Sequence, residues 1–184
     1  MRKSLLGAVL IGMSLLGLAQ AEINSFPLGR TEMVWSLRGM GPAQELSLTI
    51  EGLPEGKYRV VLSLSLEGAG TELSMLGFLG APLAIMSMGN QVDLSALNVL
   101  IRRREVLNVG EQYAIPGGQF YVREKAEIAG VLCLLGEFKP ADRPDLSIEV
   151  GLSLSDPVYL LPLLRVKQGG KVTFEMVLTK YQRP

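Results

Sequence analysis

The sequence predicts an all-β protein, an antiparallel β-sandwich of about 8–10 strands behind a cleaved N-terminal signal. Three observations predict it: long runs in which apolar and polar residues alternate, Gly- and Pro-rich turns between those runs, and no sustained, capped helical period beyond residue 21.

The N-terminus reads as an address. Arg2 and Lys3 supply a positive start, and Leu5 to Leu18 carries no charge. That length, about 14 residues, suits the apolar part of a secretory signal and falls short of the roughly 20 residues of a spanning helix. Ala19-Gln20-Ala21 is the small-x-small pattern a signal peptidase accepts, and no cysteine follows to take a lipid. The expected layout is therefore a signal peptide over residues 1–21 and a single β-sandwich domain over 22–184. The alternative is an uncleaved N-terminal anchor.

Beyond the signal, Met33 to Arg38 is a first strand candidate, followed by Leu46-Ser47-Leu48-Thr49-Ile50-Glu51, which alternates without exception. Tyr58 to Glu67 alternates with Val61 as the one intruder. Successive strand side chains point to opposite faces, so each run has one apolar and one polar side. Gly52-Leu53-Pro54-Glu55-Gly56 between them is a turn, with Gly to permit positive φ and Pro to fix it. Residues 73–88 interrupt the pattern: the run is uncharged but broken by Gly77, Gly80 and Pro82, and reads as a buried hairpin or short core helix, or else as an apolar partner-binding surface. Val99 to Leu107, Phe120 to Lys125 and Ile128 to Leu135 are weaker strand candidates, with a turn at Ile115-Pro116-Gly117-Gly118. Residues 136–145 read as a polar connection. Leu146 to Ser155 alternates cleanly, Gln168-Gly169-Gly170 is a hairpin turn, and Val172, Phe174, Met176 and Leu178 share one face of the last strand.

The stretch Leu53 to Tyr58, Leu-Pro-x-Gly-x-Tyr leading into an alternating strand, resembles a turn found in many bacterial immunoglobulin-like and transthyretin-like sandwich modules. The likeness covers six residues and a strand. It implies a general architecture and no activity, because such modules serve unrelated functions.

Composition narrows the chemistry. Loss of Arg2 and Lys3 takes the 18 basic side chains to 16 against 18 acidic ones, a net charge of −2. A balanced surface offers phosphates no broad attraction, so nucleic acid is not an expected partner. Histidine is absent, which removes His-dependent triads and His-based metal sites. The one cysteine, Cys133, has apolar neighbours and reads as a buried small hydrophobe. No cofactor, metal site or catalytic residue is expected. Met75, Met86 and Met88 suit Cu(I) by ligand type but sit among core-forming residues. Asp142, Asp145 and Asp156 are too sparse for paired-carboxylate or calcium chemistry.

The candidate partner-binding surface comprises Arg102, Arg103, Arg104, Tyr113 and Tyr121. On a strand, Arg102 and Arg104 would project from one face and grip a carboxylate or phosphate with forked guanidinium groups. Tyr113 and Tyr121, with Phe120, would form an aromatic platform; hairpin packing is the plainer explanation.

Together these point to an exported, non-catalytic module of the cell envelope, periplasmic or extracellular, which contacts another protein, a polymer or itself through a sheet edge. No membrane span is expected after signal cleavage. Two alternatives stand beside it. One is a small outer-membrane β-barrel with its apolar faces turned to lipid. The other is a carboxylate- or metal-dependent extracytoplasmic enzyme.

Overall fold

Alternating residues become a stable sheet only when every backbone group finds a partner and the apolar face is covered. In a computed structural model, the described residues are 28–39, 43–67, 99–101, 103–154, 156, 158 and 161–184. The expected signal segment (1–21), residues 73–88 and Arg102 lie outside them. The strands are β1 (Gly29–Arg38), β2 (Ala43–Gly52), β3 (Tyr58–Glu67), β4 (Gln112–Ile115), β5 (Gly118–Ile128), β6 (Val131–Pro140), β7 (Leu146–Ser153), β8 (Leu163–Gln168) and β9 (Lys171–Gln182).

All of them join in one nine-stranded sheet with the order β3-β2-β1-β9-β8-β7-β6-β5-β4, and every neighbouring pair is antiparallel. The all-β antiparallel class is as expected. The division into two stacked sheets is not what the hydrogen bonds show, because β1 pairs with β9 and fuses the first hairpins to the C-terminal meander. Alternation reports that a strand has one buried face; it carries no information on whether a second sheet covers that face.

The buried face is continuous. Met33, Trp35 and Leu37 of β1 meet Leu46, Leu48 and Ile50 of β2 on one side and Met176 and Leu178 of β9 on the other. The same face runs through Val166, Ile148, Val150, Phe138, Phe120 and Val122. Leu100, Leu107 and Val158, from segments between strands, join this core. Trp35 anchors one of those segments by donating its indole N–H to the carbonyl of Leu161 at 3.0 Å. Register shifts at Val34/Trp35, Val122/Glu124 and Val166/Lys167 add local twist and bend.

Three local expectations change. Val99 to Leu107 is not a strand: residues 99–101 and 103 are helical and Arg104–Val106 forms a 3-10 turn. Its alternation is poor, and the adjacent arginines leave no apolar face for a sheet to bury. Residues 136–145 are not all connection, since β6 runs on to Pro140 and pairs with β5 and β7. Gly136, expected to open the connection, lies within the strand, where its missing side chain makes room for the Phe120 ring. Finally, Ile128 closes β5, and the turn at 129–130 separates it from Val131.

Candidate interaction surface

Pairing register sets the outer face. Tyr121, Glu137, Glu149, Arg165, Glu175 and Arg38 are successive partners on β5, β6, β7, β8, β9 and β1, so they form one row across the sheet. Within it Arg165 bonds Glu149 through Nη1 at 2.6 Å and Glu175 through Nε at 2.6 Å. Lys167 reaches Glu149 at 3.2 Å, and Arg123 binds Glu149 at 3.3 Å as well as Glu137. Partial burial opposes ionisation of Glu149, but the hydrogen bonds from Arg165 and Lys167 outweigh it and hold the carboxyl below its ordinary range. Burial likewise opposes the charge on Arg165, while Glu175 and Glu149 strengthen it. A general acid at neutral pH needs a raised carboxyl pKa. Glu149 goes the other way, and its bonds to Arg165, Lys167 and Arg123 tie β7 to β8 and β5.

The residues singled out in the sequence do not gather at one place. Arg103 is exposed at the start of the 3-10 turn, and Arg104 turns inward, donating from Nη1 to the carbonyl of Ile101 at 3.3 Å. Tyr113 pairs with Phe120 and Tyr121 with Gln112, which puts the two tyrosines on opposite faces of the sheet. Phe120 is wholly buried and Tyr121 is 43% exposed. Tyr113 locks the preceding turn: its hydroxyl accepts from the Asn108 N–H at 2.8 Å and donates to Glu111. That bond lowers the Glu111 pKa and raises that of Tyr113.

Other reactive groups are also occupied. Burial pushes the Cys133 thiol up to about 11, and the thiol donates to the Val131 carbonyl at 3.3 Å. Asp145 accepts from Gln168 at 2.9 Å and from Arg143. Asp156 is buried and pairs with Arg183 at 2.7 Å. Among the described residues no three Cys, Asp or Glu side chains gather as a metal site would require.

The two edges of the sheet differ. β4 is only four residues long, and short edges resist further pairing. β3 is ten residues long and pairs with β2 without a register shift. The turn before it is tight: Leu53 N–H donates to the Lys57 carbonyl at 2.8 Å, and Glu55 and Gly56 take φ of 64° and 69°. No described strand pairs with the outer side of β3. Leu62 lies beside Leu48 in register, yet exposure rises from 1% at Leu48 to 62% at Leu62. Val60 on the same face and Val61 on the other are also exposed, so both faces of this edge present apolar carbon. Sequence reasoning singled out no residue here, although Val61, the break in alternation, was the available signal.

No protein-family model matches the chain, and no curated protein matches its sequence. Similar solved structures are those of MucB. For the Pseudomonas aeruginosa MucA/MucB complex, identity is 12% and the TM-score 0.49, over 92% of this chain and 56% of the other. For MucB in complex with MucA(peri), identity is 9% and the TM-score 0.48, over 94% and 55%. For MucB itself the values are 12% and 0.43, over 93% and 58%. The chain thus spans just over half the length of those chains. At TM-scores below 0.5 this likeness carries no argument about activity or partners.

Proposed function

We propose that the chain is an exported, non-catalytic β protein of the cell envelope whose work is contact with another macromolecule along a sheet edge. The observation that carries this reading is β3, a long, regular edge with exposed apolar side chains and no described partner strand. Such an edge offers a row of backbone donors and acceptors to an incoming strand. The N-terminal pattern of Arg2, Lys3, the apolar run and Ala19-Gln20-Ala21 supports export, with residues 22–184 as the mature unit. Arg103 and Tyr121 are proposed as accessory contacts because both are exposed, and Arg102, Arg104 and Tyr113 as second-rank candidates.

Side-chain burial supports this over the alternatives. A lipid-facing barrel needs its apolar face outside; here Trp35, Met33 and Ile148 are wholly buried and the opposite face carries the Arg–Glu row. A glycosidase-type enzyme needs a carboxyl that stays protonated so as to give its proton at neutral pH, and Glu149 is instead held charged by its cationic neighbours.

Fractionation of cells making the untagged full chain tests the reading. The expected product begins at Glu22, leaves the cells on osmotic shock and is not retained by carbonate-washed outer membrane. Retention in that membrane, or an unprocessed cytoplasmic product, contradicts it.

A further inference from the structure

We infer that β3 is the site of self-association: two copies pair antiparallel through their β3 strands, with Ser63 on the two-fold axis. This inference rests on the edge-contact reading above and names the partner as a second copy of this chain.

Three features of β3 select that occupant. First, the strand is long and regular: it spans ten residues, contains no Pro, no Lys and no bulge, and carries charge only at Arg59 and Glu67. Second, its faces restrict the register. Tyr58, Val60, Leu62 and Leu64 share the core face with Gly52, Ile50, Leu48 and Leu46, while Arg59, Val61, Ser63, Ser65 and Glu67 share the outer face. Residues directly opposite in an antiparallel pair share a face, so only registers that match like positions keep the apolar strip continuous.

Third, charge chooses among those registers. Setting Ser63 opposite its own copy brings Arg59 opposite Glu67 of the second copy, and Glu67 opposite Arg59. Both side chains are exposed and lie at opposite ends of the strand. The same register sets Leu62 against Leu64 twice, covering Leu62, which is 62% exposed. Shifting by two residues puts Arg59 against Ser65 and leaves Glu67 facing Lys57, which precedes the strand and is already bonded to Glu55 at 2.7 Å. Opposite charges at directly facing positions favour a strand pair and like charges oppose it, so two symmetric Arg59–Glu67 pairs favour this register, with Arg59 shared between Glu67 of the second copy and its own Glu51, which it bonds at 3.1 Å.

Directly facing residues lie about 4.5–5.5 Å apart between Cα atoms, within the range a disulfide spans. Ser63→Cys is therefore expected to form a disulfide-linked dimer on mild oxidation, with Cys133 silent because it is buried. Ser65→Cys sits about 13 Å from its own copy in this register and is expected not to cross-link. In sedimentation of the purified untagged protein a dimer is expected at micromolar concentration. Glu67→Arg is expected to weaken it about tenfold, and Arg59→Glu with Glu67→Arg to restore it. A wild-type protein that sediments as a monomer overturns the inference, whether another stretch of this chain or a foreign protein then covers the strip. Equal cross-linking of Ser65→Cys and Ser63→Cys also overturns it. A monomer that still forms a β3 adduct with a foreign envelope protein in cells leaves the edge-contact reading standing, so the two fail separately.

Discussion

Replacing Gly136 by Ala probes the least obvious requirement of the core. Gly136 faces Val122 on β5 and Val150 on β7, both wholly buried. A Cβ there would lie 2.2 Å from Phe120 Cζ and 2.8 Å from each Cε, closer than real Cβ atoms come to any neighbour. Phe120 is itself wholly buried, so the ring has no open space into which to swing. Overpacking of this kind costs about 1–3 kcal/mol. Stiffening the unfolded chain returns about 0.4–1 kcal/mol, leaving a net loss of about 1–2 kcal/mol. For a domain of this length each kcal/mol moves Tm by about 2–4 °C, so a fall of about 2–8 °C is expected. Urea denaturation followed by far-UV circular dichroism reads it. Phe120→Leu leaves room for the new methyl, so the double variant is expected to lose less than the sum of the single losses, with coupling of about 1 kcal/mol. A Gly136→Ala protein within about 0.5 kcal/mol of wild type, or strictly additive losses, would show that the Phe120 ring does not need the space at Gly136.

Two further outcomes follow from the buried thiol and the outer row. The Cys133 thiol ionises at about 11 when folded against an ordinary 9.0, so the folded state keeps a proton the unfolded state gives up, and stability falls as pH rises from 9.0 toward about 11. The full loss is about 2–3 kcal/mol; Cys133→Ala removes that share of the alkaline slope, and iodoacetamide labels the wild type only in denaturant. Glu149→Gln is expected to cost about 1–2 kcal/mol at neutral pH by removing the anion shared by Arg165, Lys167 and Arg123. Because the Glu149 carboxyl is held low, its contribution is complete above the ordinary 4.5 and is lost as pH falls through the folded value. Urea midpoints of wild type and variant should therefore converge in acid; a gap that persists or widens there contradicts the assignment.

Much of the sheet was legible because period-two alternation has a direct physical cause. Leu46 to Glu51, Tyr58 to Glu67 and Val172 to Thr179 all lie in strands, the run expected from Leu146 to Ser155 is a strand as far as Ser153, and the Gly52–Gly56 and Gln168–Gly170 turns make the β2-β3 and β8-β9 hairpins. The meeting of β1 with β9 was not legible, since contact between residues this far apart in the chain leaves no local trace. Nor was the strand through Gly136, because a glycine that admits an aromatic ring and a glycine that admits a turn are the same letter. Arg102 to Arg104 were read on a weaker strand candidate, Val99 to Leu107, whereas a short helical segment and a 3-10 turn hold the described residues of that stretch. The β3 edge was half legible: Val61 marked an apolar outer face, but exposure depends on which neighbours the topology supplies.

Site-specific photocross-linking in intact cells is the most direct test of the claim that this protein works by contact along β3. A benzophenone side chain is placed in turn at Val61, Ser63 and Ser65 on β3, and at Tyr121 and Lys125 elsewhere on the sheet. A discrete adduct is expected from the β3 positions, found with the exported chain, and weaker adducts or none from Tyr121 and Lys125. An absence of β3 adducts, or equal diffuse labelling from all five positions, would contradict it.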